Sequence, residues 1–375
     1  QLDFRNAEGS TFKCTIIDRN MLASSLVGKV VKVSIEGTYK GDTCLLPIGK
    51  YICTKPTRKD DSTIEIECYD YMSKFDVDVS SWWNSLTFPL NVRQLLIALC
   101  ARVGVDSSKV PNVFTNSTYT IPTRPTNTND LTGRTLLGYI NEVSACYWRV
   151  GRNGELKQFN LNKPSLYPSP DLYPSPDLYP SGGKDGVIER TMLASTSIEE
   201  YEVAKIDKVV SRSGDNDVGV IVGLGNNAYI IEDNVLLYAS NDSAIREVIQ
   251  NIYNQLSEIE FNSLKIDVKY LPYVEVGDKF ELTTKNGDIK TYYVFNREVS
   301  TFPYGLETIS CEIDEYRNTQ HSSVNREMQK LNGKVHNIIN SVDELTSEIF
   351  DESTGLVSRI SQTESEISSK VSSGE

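Results

Sequence analysis

The sequence predicts a multidomain, β-rich α+β protein: two β-barrels with an inserted α+β module between them, followed by a C-terminal coiled-coil helix. Three observations predict this fold class. Short runs of alternating apolar and polar residues occur near both ends of the globular part, as antiparallel strands require. Apolar residues recur at helical spacing between those runs. After residue 322, apolar residues form only a thin heptad stripe. At 375 residues the chain is also too long for one ordinary core.

Residues 1–75 form the first predicted barrel. Glycine and Asp or Asn clusters separate its alternating runs, which is typical of short antiparallel strands. The alternating apolar residues are Phe12, Cys14, Ile16, Val31, Val33, Ile35, Ile64, Ile66 and Cys68.

Residues 76–165 form the inserted α+β module. Asn91 and Thr132 are residue types that cap helices, and each precedes a segment with a one-sided apolar stripe. Gly104 is placed to end the first helix. A hairpin follows, in which Cys146, Trp148 and Val150 alternate before a turn at 151–154.

Residues 166–186 are a Tyr-Pro repeat spacer. The hexapeptide LYPSPD begins at 166 and 172 and degenerates to LYPSGG at 178. Because proline recurs about every third position, a helix or a central strand is excluded. We interpret the segment as an extended spacer or a surface loop with stacked tyrosines. A ligand for a proline-binding groove is the alternative.

Residues 187–320 form the second predicted barrel, with one helix at 243–258. Asn241 or Asp242 can cap this helix, whose apolar residues lie on one side. The dipeptide Asn286-Gly287 is a strong hairpin-turn signal.

Features of the first barrel recur in the second, which suggests an internal duplication. Val27-Gly28, Tyr51-Ile52-Cys53 and Ile66-Cys68 correspond to Val276-Gly277, Tyr293-Val294-Phe295 and Ile309-Cys311. Three such chains would present six like barrels, a number that fits a tube with sixfold symmetry.

The segment 322–375 is predicted to form a coiled coil through which the protein self-associates. Its seam steps by three and four residues, with a stutter where Glu352 falls on a core position. A single helix packed on its own domain is the alternative. The predicted oligomerisation residues are Met328, Leu331, Val335, Ile338, Val342, Leu345, Ile349, Leu356, Ile360 and Ile367.

The charge balance argues against specific nucleic-acid binding. The formal net charge is −13, whereas a grip on phosphates needs a basic face. An acidic wall is compatible with a conduit along which DNA slides.

Few residues can carry chemistry. His321 and His336 are the only histidines, and both lie outside the predicted globular modules. A Ser-His-Asp, Cys-His or His-ligated zinc site is therefore not expected there, so we predict no catalytic, cofactor-binding or metal-binding residues. The carboxylate pairs Asp60-Asp61 and Glu199-Glu200 are interpreted as solvated charges.

Two other residue types need an interpretation. The seven cysteines are spread widely without a CxxC motif, and we interpret them as small buried residues in a protein assembled in a reducing cytoplasm. A disulfide framework or zinc site is the alternative. Of the pair Trp82-Trp83, one side chain is expected in the core, and a sugar-stacking platform is the alternative.

Three stretches, taken with the order of modules, resemble a known family. They are LTGRTLLGYINEVSACYWRVGRNGELKQFNL from Leu131, GNNAYIIEDN at 225–234 and YLPYVEVGDKFEL at 270–282. The sequence resembles the N-terminal structural part of siphophage tail-associated, tail-tip proteins and the baseplate hubs of contractile tails.

The resemblance implies two hub-type barrels in a non-catalytic homotrimer at the distal tip of a phage tail. It further implies contacts with the distal tail protein, tail tube and tape-measure proteins, a channel for DNA ejection, and fibre, spike or lytic parts appended C-terminally. Host attachment would be indirect, and the virion subunit would be assembled in the bacterial cytoplasm. A tail-associated peptidoglycan hydrolase and a carbohydrate-binding adhesin that uses Trp82-Trp83 are the alternatives.

Overall fold

The computed structural model describes residues 4–311 apart from 40–41, 126–130, 162–186, 189–192, 204, 214–216, 239, 260, 270, 272–273, 284–288 and 301–304. The Tyr-Pro spacer, the Asn286-Gly287 turn and both histidines lie outside the described residues. So do the predicted coiled coil and all of its seam residues.

The described chain contains four helices and eighteen strands. The elements before the spacer are β1 Thr11–Ile17, β2 Val30–Tyr39, β3 Asp42–Arg58, β4 Thr63–Asp70, α1 Ser80–Ser85, β5 Leu90–Asn91, α2 Val92–Val103, β6 Thr120–Ile121, α3 Gly133–Ser144, β7 Tyr147–Val150 and β8 Leu156–Phe159.

After the spacer the chain is again mostly β, with one further helix. These elements are β9 Val187–Ile188, β10 Leu193–Val203, β11 Lys208–Arg212, β12 Val220–Gly223, β13 Ala228–Glu232, α4 Asp242–Leu256, β14 Phe261–Lys269, β15 Lys279–Thr283, β16 Ile289–Tyr293, β17 Asn296–Val299 and β18 Leu306–Ser310.

Three bodies result from the packing. Module 1 is the sheet β1-β4-β3-β2, and module 2 comprises β9, β10 and β14–β18. The central body contains the four helices with β5–β8 and the sheet β12-β11-β13, and one large apolar cluster joins them. Trp83 and Trp148 are fully buried in that cluster.

Helix α4 belongs to the central body. We predicted it inside the second barrel, over 243–258, but its buried residues Val248, Ile249 and Ile252 join the central cluster. The helix packs on β11 and β12, which also lie in the range predicted as the second barrel. A one-sided apolar stripe indicates that one face of a helix is packed, but it does not indicate which neighbour packs there. Tertiary packing therefore determines the body to which α4 belongs.

The predicted helix caps are confirmed. The Asn91 side chain accepts a hydrogen bond from the Gln94 N–H (2.8 Å), and Gly104 ends α2 at a φ of 74°. Thr132 caps α3. Of the two candidates for α4, Asn241 is the cap, since its side chain accepts from the Ala244 N–H at 2.9 Å.

Gly138 allows helix α3 to pack directly on the N-terminal segment. A Cβ at this position would lie 2.5 Å from the backbone oxygen of Arg5. We expect Gly138→Ala to lower the free energy of unfolding by about 1–3 kcal/mol because backbone must move. Chemical denaturation measures this loss of stability. Gly104→Ala is the comparison. No atom lies within 4 Å of a Cβ built at Gly104, so only the positive φ disfavours alanine, and the expected loss of stability is about 1 kcal/mol. Stabilisation by Gly138→Ala would contradict this close packing.

The two modules share one strand order. In module 1 the order is β1-β4-β3-β2. In module 2 the same order is β14, β18, then β17 with β16, and last β15. Strand β3 of module 1 corresponds to β16 and β17 together, because its first half pairs with β2 and its second half with β4.

The register of the two modules also agrees. The Gly28 N–H donates to the Cys53 oxygen (2.8 Å), and the Gly277 N–H donates to the Val294 oxygen (2.7 Å). Both glycines have positive φ. Cys53 pairs with Cys68, and Val294 is the corresponding neighbour of Cys311. This bonding supports the predicted duplication, with one change.

The change is a shift of one residue in the predicted correspondence. Val31 pairs with Tyr51, and Phe280 pairs with Tyr292. Tyr51 therefore corresponds to Tyr292, and not to Tyr293 as the sequence comparison suggested. Two adjacent tyrosines made that comparison ambiguous, and strand pairing resolves it.

Candidate assembly site

The described residues hold no group of three or more His, Cys, Asp or Glu side chains placed to bind a metal ion. Asp60, one of the paired carboxylates, is exposed and accepts hydrogen bonds from Thr63 and Ser62. These bonds, the Thr63 hydroxyl first, lower the pKa of Asp60 to about 2. Asp60 is thus an ionised turn residue, as predicted.

The cysteines behave as small core residues. Cys53, Cys68, Cys100, Cys146 and Cys311 are buried with free thiols, as predicted, whereas Cys14 is half-buried. Burial raises the pKa of Cys68 and of Cys100 to about 12 in each case, and the neighbouring Cys53 adds to the effect at Cys68. Such thiols stay protonated at neutral pH and are poor nucleophiles.

The tryptophan pair does not form an open platform. Trp83 is fully buried and packs edge-on against Phe88, with ring centroids 5.5 Å apart. Trp82 is half-buried against the same central cluster. Only Trp82 presents part of its ring to solvent, so stacking of a sugar on both rings is excluded by the burial of Trp83.

Arg152 connects all three bodies. It lies in the turn between β7 and β8 of the central body, and its side chain is only 7% exposed. The guanidinium donates to the Pro47 oxygen of module 1 (3.3 Å) and to the Val274 oxygen of module 2 (2.8 Å). It also forms an ion pair with Glu275 at 2.8 Å. One planar donor group thus fixes both modules to the central body.

A buried ion pair distinguishes module 2 from module 1. Glu307 is fully buried, pairs with Arg297 and accepts from the Leu271 N–H at 2.9 Å. The corresponding residues of module 1 are Ile64 and Pro56, as the pairing with β18 and β4 shows. The same strand arrangement therefore accommodates an apolar pair in module 1 and an ionic pair in module 2.

Module 1 is an open sheet in the described residues. We predicted a β-barrel, but β1 and β2 are its two outer strands and do not pair with each other. They face each other across an apolar groove of about 300 Å³. Its lining residues include Phe12, Cys14, Ile16, Leu26, Val31 and Val33.

In module 2 the corresponding edges are covered. Strand β10 pairs antiparallel with β14, and β9 pairs parallel with β15. Leu264, Ile266 and Val268 are consequently buried, whereas Phe12, Cys14 and Ile16 at the same positions of module 1 are half-buried.

The sequence did not identify these features. All of its predicted site residues belong to the coiled-coil seam, outside the described residues, so the structure neither brings them together nor separates them. Arg152 carried no signal beyond its position in a predicted turn. The open edge could have been suspected from the duplication, because only the second barrel is preceded by an additional alternating segment.

None of the described helices has the length and apolarity that a membrane-spanning helix needs.

Comparison with known proteins gives structural likenesses only. No family model matches the sequence, and no curated protein matches it. Among solved structures, the 43 kDa tail protein of prophage MuSo2 from Shewanella oneidensis is similar, with a TM-score of 0.42 and 11% identity over 80% of this chain and 86% of that chain.

Two further solved structures are similar to a comparable degree. A tail protein from Neisseria meningitidis MC58 gives a TM-score of 0.44 and 12% identity over 82% of this chain and 89% of its own. Prophage tail protein gp18 from Listeria monocytogenes EGD-e gives 0.44 and 11% over 85% and 91%. All three are phage tail proteins, the class that the sequence resembles.

Proposed function

We propose that this protein is a non-catalytic structural subunit of a bacteriophage tail, a homotrimeric hub at the distal tip. The observation that carries the proposal is the repeated module, with one strand order and register found twice in the chain. Three chains would present six like modules, which matches the number of subunits around a sixfold tube.

The way in which the modules are held supports a ring-forming role. A scaffold that docks on a tube needs its modules at fixed relative positions, and Arg152 bonds to both of them from the central body. The charge is compatible with a DNA-exit channel, because a net charge of −13 does not favour a grip on passing phosphates.

The proposed partners follow from this position. The hub would join the tail tube, distal tail protein and tape-measure protein to C-terminal fibre, spike or lytic parts. It would reach the host surface only indirectly. It would be assembled in the bacterial cytoplasm, an environment that suits five buried free thiols.

The molar mass in solution tests the proposal. Light scattering on the full chain should give three times the mass of one 375-residue chain. Replacing two seam residues, Ile338→Asp with Leu345→Asp, should reduce the mass to that of a single chain, because a charge in the seam opposes helix association.

A matched control places the same charges beside the seam. Asn337→Asp with Thr346→Asp should leave the trimer intact. A single-chain mass for the unchanged protein would overturn the hub. Clearing of cell walls in a zymogram by the same protein would support the peptidoglycan hydrolase in its place.

A further inference from the structure

Strand β1 of module 1 has backbone groups available for a further strand. The backbone N–H and C=O groups of its even-numbered residues point to β4. The Ser10 backbone oxygen accepts from the Asp70 N–H, and the Asp18 N–H donates to the Ser62 backbone oxygen. Because successive residues of a strand point to opposite sides, the N–H and C=O of Lys13 and Thr15 point to the open edge. An edge of this kind is a template for pairing with another chain.

Module 2 shows what fits such an edge. Lys265 and Asp267, the residues corresponding to Lys13 and Thr15, pair with β10 through Ser197 and Ser195. Strand β9 lies beside Glu281 and Leu282, which correspond to Lys32 and Val33. Strands β9 and β10 therefore cover both edges of module 2, with β10 antiparallel to β14 and β9 parallel to β15.

Within the described part of the chain, module 1 has the surface features of a binding edge. Its groove is apolar, and the lining residues Phe12, Cys14 and Ile16 are only half-buried, whereas their counterparts in module 2 are buried. Soluble proteins rarely gather such residues without a partner for them. Lys29 and Lys32 line the groove and form no ion pair within the described residues.

We propose that the groove between β1 and β2 binds an extended, acidic strand of a different protein by β-augmentation. The strand would run antiparallel to β1 and parallel to β2, and its alternate apolar side chains would cover Phe12, Cys14 and Ile16. Acidic residues would meet Lys29 and Lys32. The segment 187–203 is likewise acidic, with four Glu and one Arg, and it contains several large apolar residues.

A different protein is the occupant because a second copy has no spare strand of this kind in its described residues. Its own segment 187–203 is already bonded to β14 and β15. The proposal rests on the two modules and not on the hub function, so a monomeric protein could still bind the strand.

The test uses the full chain and a labelled peptide with the sequence of residues 187–203. Fluorescence anisotropy should show saturable binding, and a scrambled peptide should not bind. Thr15→Pro removes an N–H that points to the open edge, and proline is tolerated on edge strands. It should weaken binding at least about tenfold.

A second variant does not alter the backbone. Lys29→Glu with Lys32→Glu should weaken binding and reverse its dependence on salt, because attraction to the acidic peptide is replaced by repulsion that salt screens. Arg102→Glu, which reverses one charge on α2 of the central body, is the control and should have no effect.

Three results would overturn the proposal. Absence of saturable binding would mean that the edge does not receive a strand or is covered by another part of this chain. Equal binding by Thr15→Pro and the unchanged protein would place the peptide elsewhere. If Thr15→Pro alone reduces the mass of the oligomer, the occupant is a second copy.

Discussion

Arg152→Met should lower the free energy of unfolding by about 3–5 kcal/mol, because it leaves the largely buried Glu275 carboxylate without its cation. The Pro47 and Val274 oxygens would also lose a donor. Urea unfolding followed by tryptophan fluorescence measures the loss. Arg152→Lys should recover only part of the stability, since an ammonium group has all its donors on one nitrogen, whereas the guanidinium reaches three separate acceptors with three nitrogens.

The control for Arg152 is an exposed ion pair. Lys59 and Glu65 lie 2.6 Å apart, but their side chains are 56% and 44% exposed. Lys59→Met should therefore cost about 0–1 kcal/mol. If Arg152→Met costs no more than Lys59→Met, Arg152 does not hold the three bodies together.

Glu307→Ile should destabilise module 2 by a similar amount, about 3–5 kcal/mol, because Arg297 would remain largely buried without its carboxylate. The change is conservative by analogy, since Ile64 occupies the corresponding position of module 1. The difference lies at the position of Arg297, where module 1 has Pro56. Thermal unfolding of the single variant measures the effect.

The double variant Arg297→Leu with Glu307→Ile separates charge from packing. It should regain most of the lost stability, because an apolar pair replaces both ions. A remaining cost of about 1–3 kcal/mol is expected, since the Leu271 N–H loses its acceptor and the Leu271 oxygen keeps only the Val274 N–H of its two donors. Equal instability of the single and double variants would contradict this explanation.

Local features were predictable from the sequence because local physics fixes them. Asn91, Thr132 and Asn241 cap helices through a side chain and a backbone N–H three residues away. Gly104 ends α2 because it readily adopts a positive φ. The buried thiols followed from their place in apolar alternations.

Features that depend on distant residues were not predictable. Asn141, Glu142 and Ser144 are polar yet buried in α3. Glu142 pairs with Arg5 at 2.8 Å, and Ser144 accepts from the Trp148 indole at 3.2 Å. Their partners lie elsewhere in the chain, so periodicity alone indicates solvent exposure for them.

The sequence by itself determined the β-rich α+β class, the positions and caps of the main helices, and the existence of two related β modules. Only the tertiary structure decided that α4 belongs to the central body and that Arg152 links three bodies. It also decided that no described strand covers module 1 as β9 and β10 cover module 2. The reason is physical: caps and alternation depend on neighbours along the chain, whereas sheet edges and junctions depend on which distant segments meet.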